Sequence, residues 1–304
     1  MESNESIYFK FFKLHFYILY SRYKLNSFSI LKNPTNTNIE LRELIFRGNI
    51  LLFTELKSAK SFADFAVSFL KRELREENIK QFEDKVSRDY FFKITSSLKP
   101  KFSNDNNTKL HIQNLLKELN FNLNTNFFDT ARLRTITSYA HTIEEAKPVF
   151  AIHRDTWYAN SESQINWWIP LFDVNEKDTF SFYPNYFSIP IKNNSNEFNY
   201  DDWTNGGGFQ STDNLKKQIF PEIKEEISSM KEIKIPCNAG NLLLFSSSHL
   251  HGTSPNLSNQ TRFSIDFRTL DREDLNIRYA PNVDNKSMGS ILIDMLSALN
   301  FEKY

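Results

Sequence analysis

Cysteine is almost missing from these 304 residues: Cys237 stands alone. A single thiol excludes an internal disulfide and every multi-cysteine zinc site, and it suits a reducing compartment. Glycine is scarce too. There are seven, and only Gly48 precedes residue 153, so the first half holds no glycine-rich phosphate loop. Neither charge is in surplus, with 37 Lys and Arg against 37 Asp and Glu. Phosphate neutralisation needs a basic excess, so no nucleic-acid partner is expected, while a local cationic pocket for one small anion stays compatible. Long apolar runs are also lacking. The aromatic segment Ile7 to Leu25 is interrupted by Lys10, Lys13, His15, Arg22 and Lys24. Its longest clean run, Phe16 to Tyr20, falls far short of the roughly 20 residues that span a bilayer. Glu2 and Glu5 stand where a secretory signal carries positive charge. A cytoplasmic protein without stable membrane insertion is expected. Its N-terminal segment reads as a packed helix or, alternatively, as a basic aromatic helix lying on a membrane surface.

What is present divides the chain in three. Residues 1–128 read as a mainly helical region that packs on a β-rich core. Segment 60–77 carries Phe62, Phe65, Ala66, Phe69 and Leu70 at helical spacing, and segment 108–119 carries Leu110, Ile112, Leu115, Leu116 and Leu119. The run Asn104 to Asn107 supplies the loop and cap before the second. From about residue 129 to 270 short runs of β-branched and aromatic residues alternate with polar turns. Strands are expected at Arg132–Tyr139, Val149–His153, Gln164–Phe172, Thr179–Tyr183, Asn241–Ser246 and Arg262–Leu270. Six short strands in about 140 residues point to a mainly β sandwich or barrel. An insert at about 191–232, with Gly206-Gly207-Gly208 and a charged, helix-like segment from Asn214 to Met230, reads either as a lid or as a solvated excursion. Residues 271–304 form a C-terminal extension.

Two of the six histidines fall in one arrangement. His153-Arg154-Asp155 is followed 98 residues later by His251, and Arg262 lies eleven residues beyond that. Two imidazoles and one carboxylate on one face suit Fe(II) and leave positions open for a co-substrate and O₂. Residues i and i+2 of a strand point to the same side, which would let His153 and Asp155 converge on one metal, with His251 arriving from a distant strand. Arg262 opens the run Arg262-Phe263-Ser264-Ile265-Asp266-Phe267-Arg268. Alternation puts Arg262, Ser264, Asp266 and Arg268 on one face. The guanidinium, helped by the Ser264 hydroxyl, suits the far carboxylate of a dianionic co-substrate such as 2-oxoglutarate. Arg268 is expected to pair with Asp266, and Arg134 to make a surface salt bridge or to meet an anionic substrate.

The stretch His251-Gly252-Thr253-Ser254-Pro255-Asn256 followed by Arg262 resembles the C-terminal signature of the phytanoyl-CoA dioxygenase family. So does His153-x-Asp155 followed by Asn166-Trp167-Trp168-Ile169-Pro170-Leu171. The resemblance covers about residues 130–270. It implies a double-stranded β-helix (a jelly roll, as in cupins), Fe(II), 2-oxoglutarate and O₂. It also implies a role for Thr253 beside Arg262 in holding 2-oxoglutarate. The chain departs from the family at Phe182 to Phe187, where family members often carry a Pro-Gly-Ser-His stretch. The halogenating relatives lack the metal-ligand carboxylate, so Asp155 favours oxygen transfer, most simply hydroxylation of a small-molecule metabolite.

The remaining residues are read more plainly. His249 is expected beside the site or at the surface, and His15, His111 and His141 in structural roles. Trp157, Tyr158, Trp167 and Trp168 read either as substrate-pocket aromatics or as core, with core expected for at least two of them. The run from His153 to Asn160 also fits a kinase catalytic loop, but no glycine-rich loop precedes it and no Asp-Phe-Gly comes after it. The competing function is a jelly roll that binds a ligand or metal without redox catalysis.

Overall fold

A computed structural model of the chain describes residues 28–143, 146, 149–206, 220–226 and 231–304. The aromatic N-terminal segment, His15, Gly207, Gly208 and most of the charged run from Asn214 to Met230 lie outside the described residues.

Four helices come early. α1 (Asn38–Phe46) starts on a reciprocal cap, in which the Thr37 hydroxyl accepts from the Glu40 backbone and Glu40 accepts from the Thr37 backbone. α2 (Lys57–Leu74) buries Ala59, Phe62, Ala63, Ala66, Phe69 and Leu70 on one stripe. α3 (Arg88–Asn104) is capped by Ser87, and α4 (Asn106–Glu118) by Asp105 within the expected Asn-rich loop. Strands β1 (Ile30–Lys32), β2 (Ile50–Phe53) and β3 (Asn126–Phe128) also precede residue 129, so the first 128 residues supply sheet as well as helix.

The later strands are β4 (Arg132–Ile136), β5 (Gln164–Pro170), β6 (Phe180–Phe182), β7 (Ile233–Lys234), β8 (Leu242–Ser246), β9 (His251–Thr253), β10 (Arg262–Asp271) and β11 (Leu296–Ser297). Among the described residues they form two sheets facing each other as a double-stranded β-helix. The larger runs β1-β2-β8-β5-β10-β3-β11, with β4 also pairing β10, and the smaller runs β7-β6-β9. All pairings are antiparallel except β1 with β2.

Both faces of the larger sheet are covered, which explains why β5 and β8 read as continuous buried runs. The outer face, with Trp167, Ile169, Leu244, Phe263, Ile265 and Phe267, merges with the helices in one core. The inner face is a smaller apolar cluster of Ile50, Trp168, Leu243 and Phe245, closed by Phe182, Ile235 and Cys237. Adjacent Trp167 and Trp168 therefore serve opposite sides. Trp167 stacks on Phe267 outside, while Trp168 meets Phe180 edge-on inside. The described part of the insert includes helix α5 (Tyr200–Asn205), and its two limbs meet at an Asn193–Ile223 bridge.

The expected strand at Val149–His153 does not form. Only His153 pairs, donating to and accepting from His251 across distances of 2.9 and 3.0 Å. Asp155 then opens a 3-10 turn, Asp155–Tyr158. The two residues converge through a bridge followed by a turn, and not through strand alternation.

Candidate active site

The bridge to β9 sets two imidazoles side by side, with ring centroids 4.7 Å apart. The turn after Arg154 then swings Asp155 beneath them. Asp155 Oδ1 lies 3.3 Å from His153 Nε2 and 3.8 Å from His251 Nε2. Ligand atoms at right angles on bonds of about 2.1 Å would stand about 3 Å apart, close to the His153–Asp155 distance of 3.3 Å. One ligand atom from each residue lies within 4.8 Å of the others. Side-chain exposure is 21% for His153 but 5% and 7% for Asp155 and His251, so solvent reaches the group from the His153 side.

The ring tautomers are fixed by the backbone. His153 Nδ1 sits 2.8 Å from the Ala151 carbonyl oxygen, and His251 Nδ1 sits 2.9 Å from that of His249. A carbonyl accepts only, so each Nδ1 carries a proton, and each Nε2 is the nitrogen left to offer a lone pair to a metal ion. Burial, reinforced by the neighbouring His153, pushes the His251 pKa down to about 4, which keeps this ring neutral at physiological pH. Burial alone would raise the Asp155 pKa. The Arg268 guanidinium beside it instead holds it well below the usual carboxylate range. Two imidazole nitrogens and an ionised carboxylate oxygen form a donor set that fits Fe(II).

A second polar group lies deeper on the inner face. Arg262, 5% exposed, donates from one terminal nitrogen to the Asp178 carbonyl oxygen at 2.7 Å. Its Nε has no partner, and neither does the buried Ser264 hydroxyl two residues on. Burial pushes the Arg262 pKa down to about 10, so the group stays cationic at neutral pH. The Phe180 ring stands between this guanidinium and the metal site, 5.6 Å from Arg262 and 6.2 Å from His251. Thr253 pairs directly opposite Phe180. Buried donors without acceptors are costly, and a carboxylate reaching down from the triad would satisfy them. The Trp168 indole N–H is a third such donor on this face, so this tryptophan belongs to the inner face, whereas its sequence alone does not divide it between core and pocket.

The structure places the other expected residues as well. Trp157 and Trp167 are core. Tyr158 stands edge-on to His153 at 5.3 Å and reaches the insert at the Pro221 carbonyl. His111 packs between Phe62 and Phe65, and His141 lies against Tyr139 and Phe150. His249 is fully buried in a cage of Phe28, Phe182, Phe187 and Phe245. The expected Arg268–Asp266 pair is not made. Arg134 takes both Asp266 oxygens, at 2.6 and 3.0 Å. Arg268 turns to Asp155 and Asp129, each at 3.0 Å. Arg134 approaches Asp266 across the β4–β10 pairing, and that leaves Arg268 to the two carboxylates beyond.

Sequence reasoning missed Arg154, the middle residue of the His-x-Asp motif. Its side chain is buried and donates to the Ser248, Tyr186 and Ile189 carbonyls at 2.5, 2.6 and 2.8 Å, and to Asp284 at 3.1 Å. Asp284 also accepts from the Trp157 indole and the Ile191 backbone. This ion pair ties the ligand turn to the C-terminal extension, 130 residues away. An Arg154→Met variant is expected to lose about 3–5 kcal/mol of stability, because a buried carboxylate is left without its cation. Denaturant unfolding of the metal-free protein measures it, and a loss below about 1 kcal/mol would show the pair to be dispensable.

A double-stranded β-helix with two imidazoles and a carboxylate at its mouth, and an under-satisfied guanidinium behind them, defines the class of non-haem iron oxygenases that use 2-oxoglutarate. The sequence belongs to one family of that class: the phytanoyl-CoA dioxygenase family, whose model matches residues 55–264, about two thirds of the chain. The protein is thus an Fe(II)- and 2-oxoglutarate-dependent oxygenase. No curated protein matches it in sequence. Similar solved structures include EvdO2 from Micromonospora carbonacea var. aurantiaca, at 11% identity over 78% of this chain and 92% of that one, with a TM-score of 0.46. The same protein complexed with 2-oxoglutarate gives 11% identity, the same coverage and 0.44. The non-heme alpha ketoglutarate dependent epimerase SnoN from nogalamycin biosynthesis gives 13% identity over 77% and 82%, with a TM-score of 0.39. Among the described residues no helix is long and apolar enough to cross a membrane.

Proposed function

We propose that this oxygenase hydroxylates a small-molecule metabolite, releasing succinate and CO₂, and that it works in the cytoplasm. His153 Nε2, His251 Nε2 and Asp155 Oδ1 would hold the iron. Arg262 and Ser264, with Thr253, would orient the far carboxylate of 2-oxoglutarate. Iron and 2-oxoglutarate, once bound, supply O₂ activation and the oxidising equivalents. The chain's own residues fix geometry and exclude water. The backbone carbonyls of Ala151 and His249 hold both imidazoles in the ligating tautomer. Trp168, Phe182 and Phe245 keep the inner face apolar behind the metal. The observation that carries the reading is the pairing of this oriented donor set with the unpartnered Arg262 Nε and Ser264 hydroxyl on the same inner face. Asp155 keeps a carboxylate in the ligand position that halogenating relatives leave open, which favours hydroxylation.

Calorimetric titration of 2-oxoglutarate into anaerobic protein tests it, with and without Fe(II), for wild type and Arg262→Ala. Binding is expected to need both the metal and Arg262. Losing a buried charged partner costs about 2–5 kcal/mol, so the variant's affinity should fall at least about 30-fold. Equal binding by the variant, or binding indifferent to iron, would point to a non-catalytic jelly roll. Succinate release then reports on candidate substrates.

A further inference from the structure

We infer that Arg268 is the positioning residue for the metal-ligand carboxylate, keeping one oxygen of Asp155 turned to the metal and the other away from it. The inference rests on the reading of His153, Asp155 and His251 as the ligand set.

Asp155 sits at the start of a short 3-10 turn, where no strand alternation fixes the direction of its side chain. Its two oxygens are nevertheless unlike. Oδ1 faces both Nε2 atoms, whereas Oδ2 accepts a hydrogen bond from Arg268 Nε at 3.0 Å. Arg268 is itself anchored from behind. Its terminal nitrogen donates to Asp129 Oδ2 at 3.0 Å, and its backbone N–H donates to Asp129 Oδ1 at 2.6 Å. The Asp129 N–H returns a bond to the Arg268 carbonyl at 3.0 Å. Arg132 adds a second cation to Asp129 at 2.6 Å. The side chain that holds the ligand is therefore fixed at both ends of its guanidinium.

Two Arg–Asp pairs on this inner face differ in a way that fits the role. Arg134 grips Asp266 through two nitrogens on two oxygens, the closed form such pairs prefer, and leaves that carboxylate nothing to give. Arg268 touches Asp155 through one nitrogen on one oxygen. A closed fork would occupy both oxygens and compete with the metal. A missing Arg would leave the carboxylate free to rotate away from the ion, because no other contact among the described residues fixes its direction. Asp129 also offsets the charge of Arg268, so the charge of Asp155 remains for the metal. Arg268 lies outside the residues matched by the family model, which end at 264.

Co(II) serves as the probe, titrated anaerobically into metal-free protein by calorimetry, with visible absorption reporting its coordination. Arg268→Leu is expected to lower Co(II) affinity about 10- to 100-fold, the usual cost of removing a ligand's outer partner, and to change the Co(II) absorption. Arg268→Lys should recover part of the affinity, because one ammonium reaches only one of the two carboxylates. Asp129→Asn should fall between wild type and Arg268→Leu. Arg134→Met, which opens the closed pair on the same face, should stay within about twofold of wild type. Asp155→Ala separates the two ideas. If it binds Co(II) like wild type, the ligand assignment has failed. If it binds weakly while Arg268→Leu, or Asp129→Asn and Arg268→Lys should Arg268→Leu not fold, binds like wild type, positioning by Arg268 is overturned. An equal loss in Arg134→Met would also overturn it, since the effect would then be one of interior charge in general.

Discussion

An Asp155→Ala variant is expected to lose substrate oxidation by more than about 100-fold while remaining folded. Removing an outer partner of a ligand costs about 10- to 100-fold, and the ligand itself stands one bond nearer the metal. Two imidazoles would be left to hold an ion whose charge no carboxylate offsets. The fold should survive because Arg268, relieved of Asp155, keeps Asp129 at 3.0 Å, and its cation is not stranded. The freed Nε loses its acceptor, which costs about 1–3 kcal/mol. Asp155→Asn keeps an acceptor oxygen there and should recover that stability without recovering turnover. Succinate release coupled to substrate oxidation gives the first quantity, and urea unfolding gives the second. Full turnover by Asp155→Ala would mean that the ligand assignment is wrong.

The second large effect is on acid stability. Burial pushes His249 from 6.5 down to about 3, and His251 from 6.5 to about 4. Both rings are neutral in the folded chain at pH 5, whereas in the unfolded chain both are protonated. The unfolded state then binds more protons, so stability rises with pH across this window and is lost as pH falls below about 6.5. At about 1.4 kcal/mol for each pH unit and each group, the metal-free protein should be about 4 kcal/mol less stable at pH 5 than at pH 7. His111, lowered by partial burial, acts in the same direction. A domain has only about 5–15 kcal/mol in hand, so the transition should be plain in urea unfolding with a chelator present. His249→Leu, which leaves the triad in place, should remove about half of the dependence. A flat response between pH 7 and pH 5 would mean that these rings are hydrated in solution.

Much of the candidate site was legible because its chemistry is written in short runs. His-x-Asp, the distal His and the Arg eleven residues later are local patterns. The alternation along β10 correctly put Phe263, Ile265 and Phe267 in the outer core and Arg262 and Ser264 on the inner face. What escaped was decided by partners far off in sequence. Strand β2 is four residues long and gains its place by pairing with β8; nothing in Ile50 to Phe53 declares that partner. The strand expected at Val149–His153 had the right composition, but only His153 found an opposite strand. Arg268 sits two residues from Asp266, and the sequence could not reveal that Arg134 would come across from β4 to claim it. Arg154 lay inside the most visible motif, yet its partner Asp284 belongs to a stretch without any pattern.

Strand β2 and the Arg154–Asp284 pair together set a schedule for synthesis. Leu51 pairs with Leu244, made 193 residues later. At roughly 5–20 residues per second, β2 waits roughly 10–40 s for the neighbour that completes the larger sheet there. Until then an apolar strand edge lies open to other chains. The turn that carries His153 and Asp155 waits less, for 130 residues, but is completed later, because its brace arrives only with residue 284. Holdase chaperones should therefore engage the nascent chain until residue 244 has emerged. The ligand turn should take its final geometry only after translation has passed residue 284.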